Sequence, residues 1–259
     1  MHDELIVREQ DRVVWLTLNR PARRNALTPE LIERILAELD RIEEAGEARV
    51  VVVTGAPPAF CAGFDIERID SPAGQSAGAE KDLVEKLCSR VRRIRVPVIA
   101  QVNGAASGTG CDLAVSCDLR IASSEARLAM PPARLGLLYS WEGTARLVAA
   151  VGPAAAKELL LTGELVDAAR ALQLGLVQRV VPPDELEGET RRLAETIAAN
   201  APLSVAASKL MVNRLSDALL DADALAEIQE ASRAVWASED SQEGPRAFRE
   251  RRPPRFVGH

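Results

Sequence analysis

The hydrophobic period changes twice within the first fifty residues. Leu5 to Arg8 and Arg12 to Leu18 alternate in polarity around Gln10-Asp11, which predicts a hairpin of two strands. After a loop at Pro21 to Asn25 the apolar positions become Leu31, Ile32, Ile35, Leu36 and Leu39, one face of a helix. Thr28 stands at the N-cap, Pro29 at the first helical position and Glu30 in the first turn, and Gly46 ends the helix. Val50 to Val53 is then an unbroken apolar run, the pattern of a strand buried on both faces. Hairpin, helix and buried strand on short links predict an α/β layered domain.

The pattern continues in the same sense. Gly55 to Gly63 reads as a loop around Pro57-Pro58, and Ser71 to Ala79, rich in Gly, Ala and Ser, as a mobile surface loop. A helix is expected over Glu80 to Ile94, stopped by Pro97, and Val98 to Val102 is a second buried strand. Gly104, Gly108 and Gly110 lead into an apolar helix ending near Val115, and Asp118 to Ala122 forms another strand. Asp167 caps a short helix closed by Gly175, and Val177 to Val181 is a last strand before Pro182-Pro183. From Asp184 to about Glu250 the chain reads as helical, with a break near Pro202. It thus divides into a mixed α/β core, residues 1–200, and a helical C-terminal region, 201–259.

Composition removes several function classes. The 259 residues are 47% hydrophobic and 27% charged, which is globular and large enough for a sizeable core. A net charge of −6 argues against nucleic acid as the main partner. No run approaches the roughly 20 apolar residues of a membrane helix. The first fifteen residues lack the apolar segment of a signal peptide, so a cytoplasmic protein without a membrane partner is expected. The only histidines are His2 and His259, at the chain ends, which speaks against Ser-His-Asp or Cys-His catalysis and a His-based zinc site. Cys61, Cys88, Cys111 and Cys117 have no CxxC spacing and read as reduced, mostly buried thiols, with no metal expected.

Two glycine-marked loops follow buried strands, where open α/β sheets bind ligands: Phe60-Cys61-Ala62-Gly63-Phe64-Asp65-Ile66, and Asn103 to Asp112. The second opens a helix, so free N–H groups near Thr109 and Gly110 favour negative charge, although a plain strand-to-helix turn would look the same. Its G-x-x-x-G-x-G spacing is neither a dinucleotide fingerprint nor a P-loop. Carboxylates remain for acid/base work. Asp112 lies in the first turn of this helix, where it also suits the dipole. Glu142, in Leu137 to Gly143, serves equally as a solvated helix-start residue, and Tyr139, the sole tyrosine, as a half-buried core ring. Asp118 reads as structural.

Together the two loops, Phe-Cys-Ala-Gly-Phe-Asp-Ile at 60–66 and Val-Asn-Gly-x-x-x-Gly-x-Gly-Cys-Asp at 102–112, resemble the enoyl-CoA hydratase/isomerase (crotonase) superfamily. Asn19-Arg20-Pro21, Asn25-Ala26-Leu27, Pro97 to Ala100, Leu161-Thr162-Gly163 and Phe248 to Phe256 extend the resemblance over essentially the whole chain. It implies a spiral of ββα turns with a C-terminal helical trimerisation region, assembled as a homotrimer or hexamer. It also implies a coenzyme A thioester as substrate, no tightly bound cofactor, and a place in fatty acid metabolism. The thioester oxygen would be bound by the Phe64 and Thr109 N–H groups. The adenine and phosphates would lie near Ala62, Gly63, Asp65 and Ile66, with Arg23 and Arg24 on the phosphates.

The sequence departs from the family at its paired hydratase glutamates. The first maps onto Asp112 and the second onto Pro132, which cannot transfer a proton. Tyr139, Ser140, Trp141 and Glu142 replace a glycine-rich loop. The expectation is an enoyl-CoA hydratase, a lyase. Alternatives are a malonyl-type decarboxylase, suggested by Leu-Gly-x-x-Tyr at 135–139, an isomerase in which Glu142 moves one proton, and a non-catalytic acyl-CoA-binding homologue. The charge of −6 argues against an RNA-binding member.

Overall fold

The computed structural model describes residues 3–64, 76–131 and 139–216, with scattered positions between 230 and 259. The chain begins β1 (Leu5–Gln10), β2 (Val13–Leu18), α1 (Pro29–Ala45), β3 (Val50–Gly55), β4 (Ala59–Cys61) and α2 (Ser76–Arg93). It continues β5 (Val98–Val102), β6 (Ala105–Ser107), α3 (Thr109–Ser116), β7 (Leu119–Ser123), β8 (Arg127–Ala129) and α4 (Trp141–Thr162). It ends β9 (Leu165–Asp167), α5 (Ala168–Gln173), β10 (Arg179–Val181), α6 (Leu186–Ala198) and α7 (Pro202–Ser216).

Six strands form one sheet in the order β1-β2-β3-β5-β7-β10, antiparallel only at the β1–β2 hairpin. Four three-residue strands form a second sheet, β4-β6-β8-β9. Three times a strand of the large sheet leads to a strand of the small sheet and then to a helix: β3-β4-α2, β5-β6-α3 and β7-β8-α4. This is the spiral of ββα turns. Parallel neighbours require a crossover, and each helix supplies one.

The valine run of β3 is unbroken because both faces of the sheet are covered. Val51 and Val53 pack with Leu31, Ile35 and Leu39 of α1, while Val50 and Val52 pack with Trp15, Ile99 and Leu186 on the other side. The helix signals act as expected. Thr28 Oγ accepts the Leu31 N–H at 3.2 Å, Gly46 closes α1 at φ 68°, and the Asp167 side chain accepts the Arg170 N–H at 2.8 Å. Lys209 ties α7 to the core, pairing with Asp118 at 2.8 Å and donating to Val96 O at 3.0 Å; Asp118 also accepts the Val98 N–H at 2.7 Å. All four cysteines are buried. Among the described residues no helix is long and apolar enough to cross a membrane.

Several expectations need correction. Val13 to Leu16 of β2 are all buried, without alternation, because β2 lies between the same two layers as β3. Of the small-sheet strands, β4 and β6 fall in segments that read as loops and β8 and β9 where no element is expected: three residues are too few to display a period of two. Helix α2 starts at Ser76, so the end of the Ser71 to Ala79 segment is helical, and 71–75 lie outside the described residues. The last strand is shorter than expected, Arg179–Val181. Gly152, at φ 76° before Pro153, interrupts α4. The break at Pro202 separates α6 from α7, and most positions after Ser216 lie outside the described residues.

Candidate active site

Two side-chain amides, the buried Asn25 and the partly buried Asn103, shape the turn between β3 and β4. The Asn25 side chain donates to Ala56 O at 2.7 Å and Ala59 O at 2.6 Å and accepts the Arg20 N–H at 3.0 Å. Asn103 Oδ1 accepts the Gly55 N–H at 3.2 Å. The chain leaving β4 then runs beside the segment before α1: Ala62 N–H donates to Arg24 O at 3.0 Å and Leu27 N–H to Gly63 O at 2.8 Å, and Leu27 bridges Phe64. This pairing brings the exposed Arg24, with Arg23 next to it, alongside Ala62 and Gly63. Asp65 and Ile66 lie outside the described residues.

The second loop meets the first at its glycines. A side chain on Gly63, whose φ is 102°, would place its Cβ 2.8 Å from Ser107 O and 3.5 Å from Thr109 N. One on Gly110 would stand 2.2 Å from Cys61 O. Gly108, the N-cap of α3, offers no side chain to the first turn. Neither Phe64 N–H nor Thr109 N–H has an acceptor among the described residues. Two unpaired backbone donors therefore sit on touching segments, one of them at a helix N-terminus. That arrangement suits a carbonyl oxygen that gains negative charge during reaction.

Asp112 is 2% exposed and both of its oxygens are engaged. Arg146 donates Nε to Oδ1 at 3.2 Å and Nη2 to Oδ2 at 3.0 Å, and the Cys88 thiol lies 3.7 Å from Oδ2. The other edge of the same guanidinium meets Glu85, at 2.6 Å from Nη1 and 2.8 Å from Nη2. One cation thus joins α2, α3 and α4. Burial alone would push Arg146 down, but the bonds to Glu85 and Asp112 outweigh it and hold the group above its ordinary value. Burial also pushes the Cys88 thiol up, and the charge of Asp112 adds to this. Neither Arg146 nor Glu85 stands out as a site residue in the sequence. The available signal was a lone arginine among the apolar positions of α4, one turn after Glu142.

Glu142 contrasts with Asp112. It lies partly exposed in the first turn of α4 and has no hydrogen-bond or ion-pair partner among the described residues. Spaced i, i+4 from Arg146, it shares the face of α4 that meets α3. The Tyr139 ring packs on Gly143, where a Cβ would stand 2.9 Å from Cδ1. Its hydroxyl is enclosed without a partner, and burial, aided by the charge of Asp112, holds it well above its ordinary value. Tyr139 can therefore donate a hydrogen bond but does not act as a base near neutrality. Pro132 lies outside the described residues.

The sequence model of the enoyl-CoA hydratase/isomerase family matches residues 8–259. The 2,3-dehydroadipyl-CoA hydratase of Escherichia coli is 37% identical over 262 residues, spanning 98% of this chain and 99% of that protein. The short-chain-enoyl-CoA hydratase of Clostridium acetobutylicum is 37% identical over 254 residues, 96% of each chain. The crystal structure of enoyl-CoA hydratase from Bacillus anthracis superposes with a TM-score of 0.92 at 33% identity, covering 99% of this chain and 100% of the other.

Proposed function

Because this chain belongs to the enoyl-CoA hydratase/isomerase family, we propose that it is an enoyl-CoA hydratase that stabilises a thioester enolate on the Phe64 and Thr109 N–H groups. The observation that carries the reading is the contact of Gly63 with Ser107 and Thr109, which puts two acceptor-free donors on adjoining segments. Removing one donor of such a pair typically costs about 100- to 1,000-fold in turnover.

In this reading Glu142 moves the protons. It takes one from water as the oxygen bonds to C3, while the C2–C3 π electrons shift toward the thioester oxygen. The enolate is held by the two N–H groups, and Glu142 then returns the proton to C2. A single unpaired carboxylate suffices for this sequence. Asp112 takes no proton here, since both its oxygens face Arg146. Arg23 and Arg24, with Ala62, Gly63, Asp65 and Ile66, are assigned to coenzyme A. The substrate is the thioester itself, with no tightly bound cofactor.

Incubation with crotonyl-CoA tests the proposal, with mass spectrometry reading the addition of one water. Binding of the thioester without hydrated product, repeated across acyl chain lengths, would count against hydration. A second reading is favoured by the solitary state of Glu142: a lone carboxylate also suits an isomerase that moves one proton between carbons. Conversion of a 3-enoyl-CoA to its 2-enoyl isomer without water addition would select it.

A further inference from the structure

Arg146 takes no part in the proposed proton transfer, yet it makes four hydrogen bonds to two carboxylates. A buried ion pair is a weak source of stability, so its geometry must supply the reason for it. Thr109 begins α3 behind a glycine that cannot cap it. Asp112 lies three residues later, and helical side chains lean toward the helix N-terminus. A carboxylate in a first turn is drawn to the free N–H groups there, by hydrogen bonding and by the helix dipole.

In this structure the Asp112 carboxylate accepts from none of those groups among the described residues. It turns instead to Arg146, which Glu85 grips from the opposite edge. We propose that Arg146 is a positioning residue: it holds the Asp112 carboxylate away from the Thr109 N–H and so keeps that donor open for the thioester oxygen, with Glu85 fixing the guanidinium. Without the guanidinium, Asp112 becomes a tethered anion competing for the same donor. The inference rests on the assignment of Thr109 N–H to the thioester oxygen.

The experiment compares Arg146→Ala with the double variant Arg146→Ala/Asp112→Ala in the full chain. Two signals are read: hydration of crotonyl-CoA, and the near-ultraviolet absorbance of a bound β-ketoacyl-CoA, whose enolate accumulates where paired donors stabilise it. The single variant should lose about 100-fold in kcat, together with the enolate band, with KM little changed. The double variant should recover most of both. A merely structural role makes the activity and the enolate band of both variants follow their urea midpoints, with no loss in the single variant beyond its loss of stability; that result, or a double variant no better than the single, overturns the proposal.

Should Arg146→Ala fail to fold, Arg146→Lys and Glu85→Gln leave a smaller defect, and each should weaken the enolate band. Wild-type absorbance in both also overturns the proposal. The wild-type protein separates the two levels of the argument. An enolate band without hydration removes the hydratase reading but still allows the variants to be judged. Binding without a band removes the Thr109 assignment, and this inference falls with it.

Discussion

Gly63 leans on Thr109 so closely that a methyl group at Gly63 would stand 3.5 Å from the Thr109 nitrogen. The same methyl would meet Ser107 O at 2.8 Å, and the φ of 102° suits glycine alone. Gly63→Ala should therefore separate the two donors. Backbone strain of this kind costs about 1–3 kcal/mol. The expected result is a fall in kcat/KM of about 100-fold, the loss of one donor, with a smaller drop in the urea midpoint. Unchanged turnover would show that the donors do not act as a pair.

Glu142→Gln removes the proposed proton carrier and keeps the side chain's size. General acid/base catalysis contributes about 100- to 10,000-fold, so kcat should fall within that range while KM stays near wild type. Steady-state kinetics with crotonyl-CoA decides this. Full activity in Glu142→Gln would move the proton transfer to another group.

Lys209 anchors α7 through Asp118, a pair whose side chains are 7% and 20% exposed. Burial raises Asp118, and burial lowers Lys209, so each depends on the other to stay charged. Lys209→Met leaves the Asp118 carboxylate buried without its cation, which typically costs about 3–5 kcal/mol. Urea unfolding should show that loss, and Lys209→Met/Asp118→Asn should recover part of it.

The buried thiols set an alkaline limit. Burial pushes Cys61, Cys111 and Cys117 up to about 12, from an ordinary value of 9.0. Between those values the unfolded chain releases protons that the folded chain keeps, so stability falls as pH rises. Each thiol contributes a slope of about 1.4 kcal/mol per pH unit. Urea midpoints should be steady at neutral pH and drop once pH passes about 9, and serine at one of the three positions should reduce the slope. A midpoint that holds to higher pH would mean the thiols ionise as readily folded as unfolded.

The large sheet was legible because five of its six strands, β1, β2, β3, β5 and β7, are five or six residues long and display a pattern. Val50 to Val53 announces two covered faces, and Thr28-Pro29 with Gly46 marks both ends of α1. The small sheet was not, because β4, β6, β8 and β9 are three residues long and owe their form to one another. At the site, the glycines of the two loops and the helix start behind Gly108 pointed to the free backbone N–H groups, since their roles are local. The surroundings of Asp112 were not legible. Its position in a first turn was plain, but its partner Arg146 comes from 34 residues after it, and the second carboxylate on that arginine, Glu85, from 27 residues before it, separations set by the fold rather than by any local pattern.

The turn that Asn25 holds lasts only as long as its side-chain amide does. Asparagine is thermolabile because its amide is slowly lost to a carboxylate. At this position the change would set an anion against Ala56 O and Ala59 O, the two carbonyls the amide now serves. The fold guards against it: the side chain is fully buried, and the Ala26 N–H, whose nitrogen would attack the amide, is tied to Arg23 O at 3.0 Å. Covalent lifetime at Asn25 is thus set by how seldom the surrounding loop opens, so conditions that loosen the fold should also shorten the working life of a stored sample.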